Sequence, residues 1–188
     1  MIETITNIDK LREIALDQHG LVTYQQAIDE GVSQPALSKL LSRNRLERAA
    51  YGVYRVPQVP VTQCTRFMLA VLWTGVPEAC LSHDSALDAY EVCDINPTLI
   101  HITVAKKRRI AKQGGEGYVL HKQDLEQKQI TWWEQIPITT LPVTIEQCVK
   151  GKVPTYLLRQ AIERGAKIGK VLPEDKERLL ELLEKRNG

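Results

Sequence analysis

The residues best placed to do chemistry lie between Ser33 and Arg55. Leu37, Leu40 and Leu41 stand at i, i+3 and i+4 and share one apolar stripe of an expected helix. Pro35, Ser38, Lys39 and Ser42 fall on the opposite side, with Arg43 at its edge and Ser33 and Gln34 at its start. That outer face offers hydroxyls, an amide and cations but no acid, so it can approach a base edge or a phosphate without repulsion. From Lys39 to Arg55 there are five cations (Lys39, Arg43, Arg45, Arg48, Arg55) against the single acid Glu47. Residues 1–56 as a whole balance seven cations against seven acids, so positive charge is concentrated here. Arg45, Arg48 and Arg55 suit phosphates, and one of Tyr51 and Tyr54 would pack while the other, Tyr51 at the turn, stays available to the backbone of a duplex. The competing reading is a solvated charged face on a scaffold that binds protein.

A second basic cluster, Lys106, Lys107, Arg108, Arg109 and Lys112, lies in KKRRIAKQGGEG. Read as a mobile hairpin loop, it suits phosphate contact with DNA or RNA, or an acidic protein surface; the alternative is a solubilising tip. Enzyme-like patterns are weaker. Asp124 with Glu126-Gln127-Lys128 mimics a metal-dependent nuclease core, but the two acids are too close in sequence and the segment lacks a strand's alternation. His83, Asp84 and Ser85 are adjacent rather than convergent, so they make no triad; Ser82 and Asp84 read as helix-capping groups and His83 as a packed histidine. Trp132-Trp133 reads as a protein-binding patch or as rings packed under a sheet. The four cysteines (Cys64, Cys80, Cys93, Cys148) form no CxxC pair and the four histidines show no ligand spacing, so buried reduced thiols are expected and no catalytic residue, metal or cofactor.

Local signals define the elements that must position these groups. Asn7 is placed to cap a first helix running from Ile8 to about Gln18. Thr23 with Gln26 forms a capping box that opens a second helix, and Gly31 ends it. Ser33 caps the third helix, whose first turn tolerates Pro35, and Val32 plugs the turn between them. LERAA and VYRV, joined by Tyr51-Gly52, fit a β wing. Pro57-Gln58-Val59-Pro60 reads as a linker, followed by an apolar helix from Val61 to Thr74 that would begin a second core. TLIHITVA, GYVLHK and IPITTL read as strands, and three helices follow Pro142. The expected fold is α+β: a winged helix-turn-helix over 1–57, then a mixed α/β domain over 61–188 with a small sheet flanked by helices. The chain has 188 residues and a net charge of +2. It holds no apolar run long enough to span a bilayer, and its acidic amphipathic start is unlike a signal peptide, so a cytoplasmic protein without a membrane partner is expected.

Taken together, GLVTYQQAIDEGVSQPALSKLLSRNRLERAAYGVYRVP, LSHDSALDAYEV, IHITVAKKRR and IPITTLPVTIEQCV resemble the AbiEi-type antitoxins of type IV toxin–antitoxin systems, which act in abortive infection. The resemblance runs from about Thr6 to the end. It implies a repressor whose winged helix binds inverted repeats in its own promoter, as double-stranded DNA. It also implies an α/β domain that counteracts a nucleotidyltransferase-like toxin without necessarily forming a stable complex. DNA reading would fall on the exposed residues of helix 33–43 and on Arg48 and Arg55. No catalytic motif is carried over. A plain transcriptional regulator, or a protein- or RNA-interaction module without a toxin, is the alternative.

Overall fold

The computed structural model describes residues 5–188, so the opening residues of the start read above lie outside the described residues. Two compact units emerge: one of Met1–Pro77 with Ile110–Gly114 and Glu134–Ile136, the other of Glu78–Arg109, Gly115–Trp133 and Pro137–Gly188.

The first unit runs α1 (Asn7–Leu16), β1 (Leu21–Thr23), α2 (Tyr24–Asp29), α3 (Gln34–Ser42), β2 (Glu47–Ala50), β3 (Val53–Arg55) and α4 (Thr65–Thr74). Up to β3 this is the element order of a winged helix-turn-helix. The cap of α1 is Thr6 rather than Asn7: its hydroxyl and the Asp9 carboxylate bond reciprocally to each other's backbone N–H groups. Thr23 and Gln26 make the expected capping box, and the Gln26 amide also bonds Gln18 at 2.8 Å. Gly31 sits at φ +77°, the left-handed conformation that lets the chain leave α2 and bury Val32 completely. Thr23→Ala should cost about 1 kcal/mol of stability, with Thr23→Ser near wild type, read as the shift in a urea unfolding midpoint. Leu21–Thr23, not expected as a strand, pairs with β3 and completes a three-stranded sheet in the order β1-β3-β2. A bulge between Arg48 and Ala50 shifts the β2–β3 register. Leu11, Ala15, Val22, Ala27, Val32, Leu37, Leu46 and Val56 form the core beneath. The apolar helix begins at Thr65 instead of Val61 and groups with this first unit, so the compact boundary falls after Pro77 rather than at the prolines around Val59.

In the second unit, β4 (Cys80–Leu81), α5 (His83–Tyr90), β5 (Ile100–Val104), β6 (Tyr118–Lys122), β7 (Ile130–Trp133) and β8 (Ile136–Thr139, in this unit from Pro137 on) precede α6 (Leu141–Lys150), α7 (Thr155–Lys167) and α8 (Pro173–Asn187). The five-stranded sheet has the order β6-β5-β4-β8-β7. β4 pairs antiparallel with β5 and parallel with β8. β5 and β6 are parallel, with Ile102 opposite Leu120 and Thr103 opposite His121. The basic segment between them is therefore a crossover connection and not a hairpin loop: parallel neighbours need a connection of a dozen or more residues. The helices close a core of Leu87, Leu141, Ile145, Leu158, Ala161, Ile162, Leu179 and Leu183. Gly165 permits the approach of α7, since a Cβ there would stand 2.6 Å from Leu141 and 2.8 Å from Val171.

Candidate nucleic-acid interface

Helix α3 buries Leu37 and presents Gln34, Ser38, Lys39, Ser42 and Arg43 to solvent, as its periodicity requires. Ser33 caps it through a hydroxyl that accepts from the Ala36 N–H at 3.4 Å. The Ser42 hydroxyl donates to the Lys39 carbonyl at 3.0 Å, which leaves its oxygen lone pairs outward as acceptors. Arg45 is exposed on the turn into the wing and lies close enough to Asp9 to help hold that carboxyl below its ordinary range, after the larger effect of the Thr6 hydrogen bonds.

The wing sorts its residues. Tyr54 is 6% exposed and packs into the core, whereas Tyr51 at the turn is 66% exposed. Arg48 is exposed and its guanidinium carbon lies 5.8 Å from the Tyr54 ring centre, a cation–π contact that orients it without neutralising it. Arg55 differs: its Nη1 bonds Glu47 Oε2 at 2.7 Å across the β2–β3 pair, so its charge is largely spent inside the wing. Lys39, Arg43, Arg45 and Arg48 are the cations of this surface that keep their charge toward solvent.

The second basic cluster does not behave as one patch. Arg108 makes a two-pronged ion pair with Glu78, with Nη2 to Oε2 at 2.9 Å, and this holds the Glu78 carboxyl below its usual range. Lys112 donates to the Trp73 carbonyl at 3.0 Å, and burial lowers its pKa. Lys106, Lys107 and Arg109 remain exposed. Two of the five cations are therefore engaged with protein groups upstream of the crossover and are only partly exposed.

The enzyme-like patterns are accounted for locally. Asp124 accepts the Lys106 backbone N–H at 3.0 Å, and Glu126 pairs with Lys128 at 2.9 Å in an exposed 3-10 turn. Trp132 is 70% exposed on the edge strand β7, and Trp133 is half-buried. All four cysteines are free and buried, and among the described residues no helix is long and apolar enough to cross a membrane.

Ser82 precedes α5 but makes no capping bond with its side chain. Its oxygen instead accepts from Thr103 Oγ1 at 2.7 Å and meets His83 Nδ1 at 2.9 Å. His83 is stacked on His121, with ring centres 3.5 Å apart, and His101 Nδ1 lies 3.0 Å from His121 Nε2. Sequence reasoning missed this convergence, because three histidines about twenty residues apart carry no ligand spacing. The available signal was the parallel β5–β6 register, which brings His101 and His121 onto one sheet face.

No curated protein matches the chain in sequence. A crystal structure of the RV2827C protein from Mycobacterium tuberculosis matches with a TM-score of 0.50 at 12% identity, covering 97% of this chain and 78% of that one, a likeness of fold. Residues 9–57, which span the winged helix from within α1 through the end of its wing, match the family described as "Transcriptional regulator, AbiEi antitoxin".

Proposed function

We propose that the chain is a DNA-binding transcriptional repressor and antitoxin. Its winged helix binds operator repeats in its own promoter, and its second unit counteracts a nucleotidyltransferase-like toxin. The observation that carries the DNA-binding half is the coincidence of unneutralised Lys39, Arg43, Arg45 and Arg48 with the exposed face of α3 and the wing of a segment that matches the AbiEi regulators. Ser38, Lys39, Ser42 and Arg43 read the groove, with Ser33 and Gln34 at the entry of the helix. Arg45, Arg48 and Tyr51 position the module on phosphates, and Arg55 orders the wing through Glu47 while lying beside the same strand. Lys106, Lys107 and Arg109 form a smaller second surface for nucleic acid or the partner. The protein works in the cytoplasm, without a cofactor and without catalysing a reaction. A winged helix spans a short site, so inverted repeats engage two copies.

The test is fluorescence anisotropy of the purified chain on short duplexes tiling the DNA upstream of its gene, with scrambled controls. One duplex should bind at least a hundredfold tighter than its scramble; equal binding to all would overturn the repressor reading. Co-expression with the product of the neighbouring gene tests the antitoxin half: the chain should relieve growth arrest by a nucleotidyltransferase-like protein, and failure to do so defeats it.

A further inference from the structure

The histidines His83, His101 and His121 come from three elements of the second unit and meet between the β5–β6 face and the start of α5. The His83 and His101 ring centres are 6.1 Å apart, and those of His101 and His121 5.1 Å. His83 adopts φ +50°, a left-handed backbone that a non-glycine residue keeps only where its surroundings hold it. Its backbone N–H donates to Gln147 Oε1 at 3.3 Å, and Gln147 Nε2 donates to Gln123 Oε1 at 2.8 Å. Thr103 and Ser82 complete the hydrogen-bonded chain.

The arrangement is built for neutral rings. Only one proton can occupy the 3.0 Å gap between His101 Nδ1 and His121 Nε2, and a charge on either stacked ring would face its neighbour at van der Waals distance. It is not built for a metal: two face-to-face imidazoles cannot aim in-plane lone pairs at one point. Among the described residues no three His, Cys, Asp or Glu side chains are arranged as metal ligands.

We propose that His83, His101 and His121 form a proton-operated latch, which clamps β5 and β6 to the start of α5 while uncharged and releases them on taking up protons. Burial, and then the two neighbouring rings, push His83 down to about 3; burial also lowers His101 and His121. The charged group acting on the nest is Asp84 of α5, which favours protonation of His101 and His121 without reversing the effect of burial. Cys148 of α6, 4.0 Å from Asp84, and Cys80 of β4 are both held as neutral thiols by burial. Each ring therefore binds protons more weakly folded than unfolded. Stability is complete above the ordinary histidine range near pH 6.5 and is lost as pH falls below it.

The test uses the full chain. Histidine ring NMR resonances are followed from pH 8 to 4.5 alongside urea unfolding at each pH, in wild type and in His83→Asn/His121→Gln. Asparagine tolerates the left-handed backbone and glutamine keeps an amide beside His101. In wild type His83 should stay neutral through pH 6 while His101 and His121 titrate below the ordinary histidine value, and the folded-to-unfolded ratio should fall about tenfold from His83 between pH 7 and 5.5, with smaller screened contributions from the other two. Amides of β5, β6 and the first turn of α5 should lose exchange protection before those of α7 and α8. The double variant should lose the wild-type slope over that range. Nest rings that titrate at 6.5 or above, or a variant with an unchanged slope, would overturn the latch. Should the variant fail to fold, the wild-type ring titration and the order of exchange decide alone.

Discussion

Replacing Lys39, Arg43, Arg45 and Arg48 together by glutamine will remove most of the salt dependence of operator binding. Whether a cation lies in the groove or on the backbone it displaces counterions, so the four together give a log–log slope of about −3.6, at ~0.9 per cation on B-form DNA. Between 50 and 200 mM salt that slope amounts to a roughly 150-fold loss of wild-type affinity, against a nearly flat response in the variant. Arg55 supplies the internal control. Because it already bonds Glu47, Arg55→Gln should leave the slope within about half a unit of wild type. The single change Lys39→Ala then separates two roles. Uniform weakening on all duplexes marks a phosphate contact, whereas loss of about 1–3 kcal/mol of discrimination at one base pair marks a base contact. Anisotropy titrations over a salt series measure all three variants. A quadruple variant that keeps the wild-type slope would remove α3 and the wing from the interface.

The second large effect lies in the core of the second unit. Leu158 is fully buried among Leu141, Ile145, Ile162 and Leu183. Leu158→Ala discards the transfer free energy of its branched end and leaves a cavity that close-packed helices cannot fill by relaxing. The expected loss is about 2–5 kcal/mol, large against the ~5–15 kcal/mol by which domains of this size are stable. Leu172→Ala is the comparison: that side chain is 62% exposed, and its loss should change stability by less than about 0.5 kcal/mol. Urea midpoints at constant m-value read the difference, and equal midpoints for the two variants would show that the helical layer carries little of the unit's stability.

Much of the fold was legible because local chemistry specified it. The Thr23–Gln26 capping box, Gly31 and the Ser33 cap each act within a few residues, and each holds its element as the sequence indicates. Thr6 and Asn7 are both good capping residues, and only the reciprocal bonds with Asp9 put the cap of α1 at Thr6. The outward face of α3 followed from three leucines at helical spacing. Long-range facts were not legible. Nothing local to IHITV or YVLHK states that the two strands run parallel, and glycines between them imitate a turn. The charge state of the basic cluster was hidden for the same reason, since the Glu78 partner of Arg108 lies thirty residues upstream. The segment from Leu21 to Thr23 was too short to show a strand's alternation beside its capping threonine. The histidine nest needed the β5–β6 register before it could be seen at all.

The parallel joints of the five-stranded sheet also govern when it can be made. Leu81 of β4 finds its partner Ile138 of β8 only after more than fifty further residues have left the ribosome, and β5 must wait for the whole crossover before β6 arrives. The winged helix, whose three strands all lie upstream of Pro57, can close while β4 and β5 are the only strands of the second sheet able to pair. During synthesis the winged helix can therefore fold well before the second sheet has all its strands.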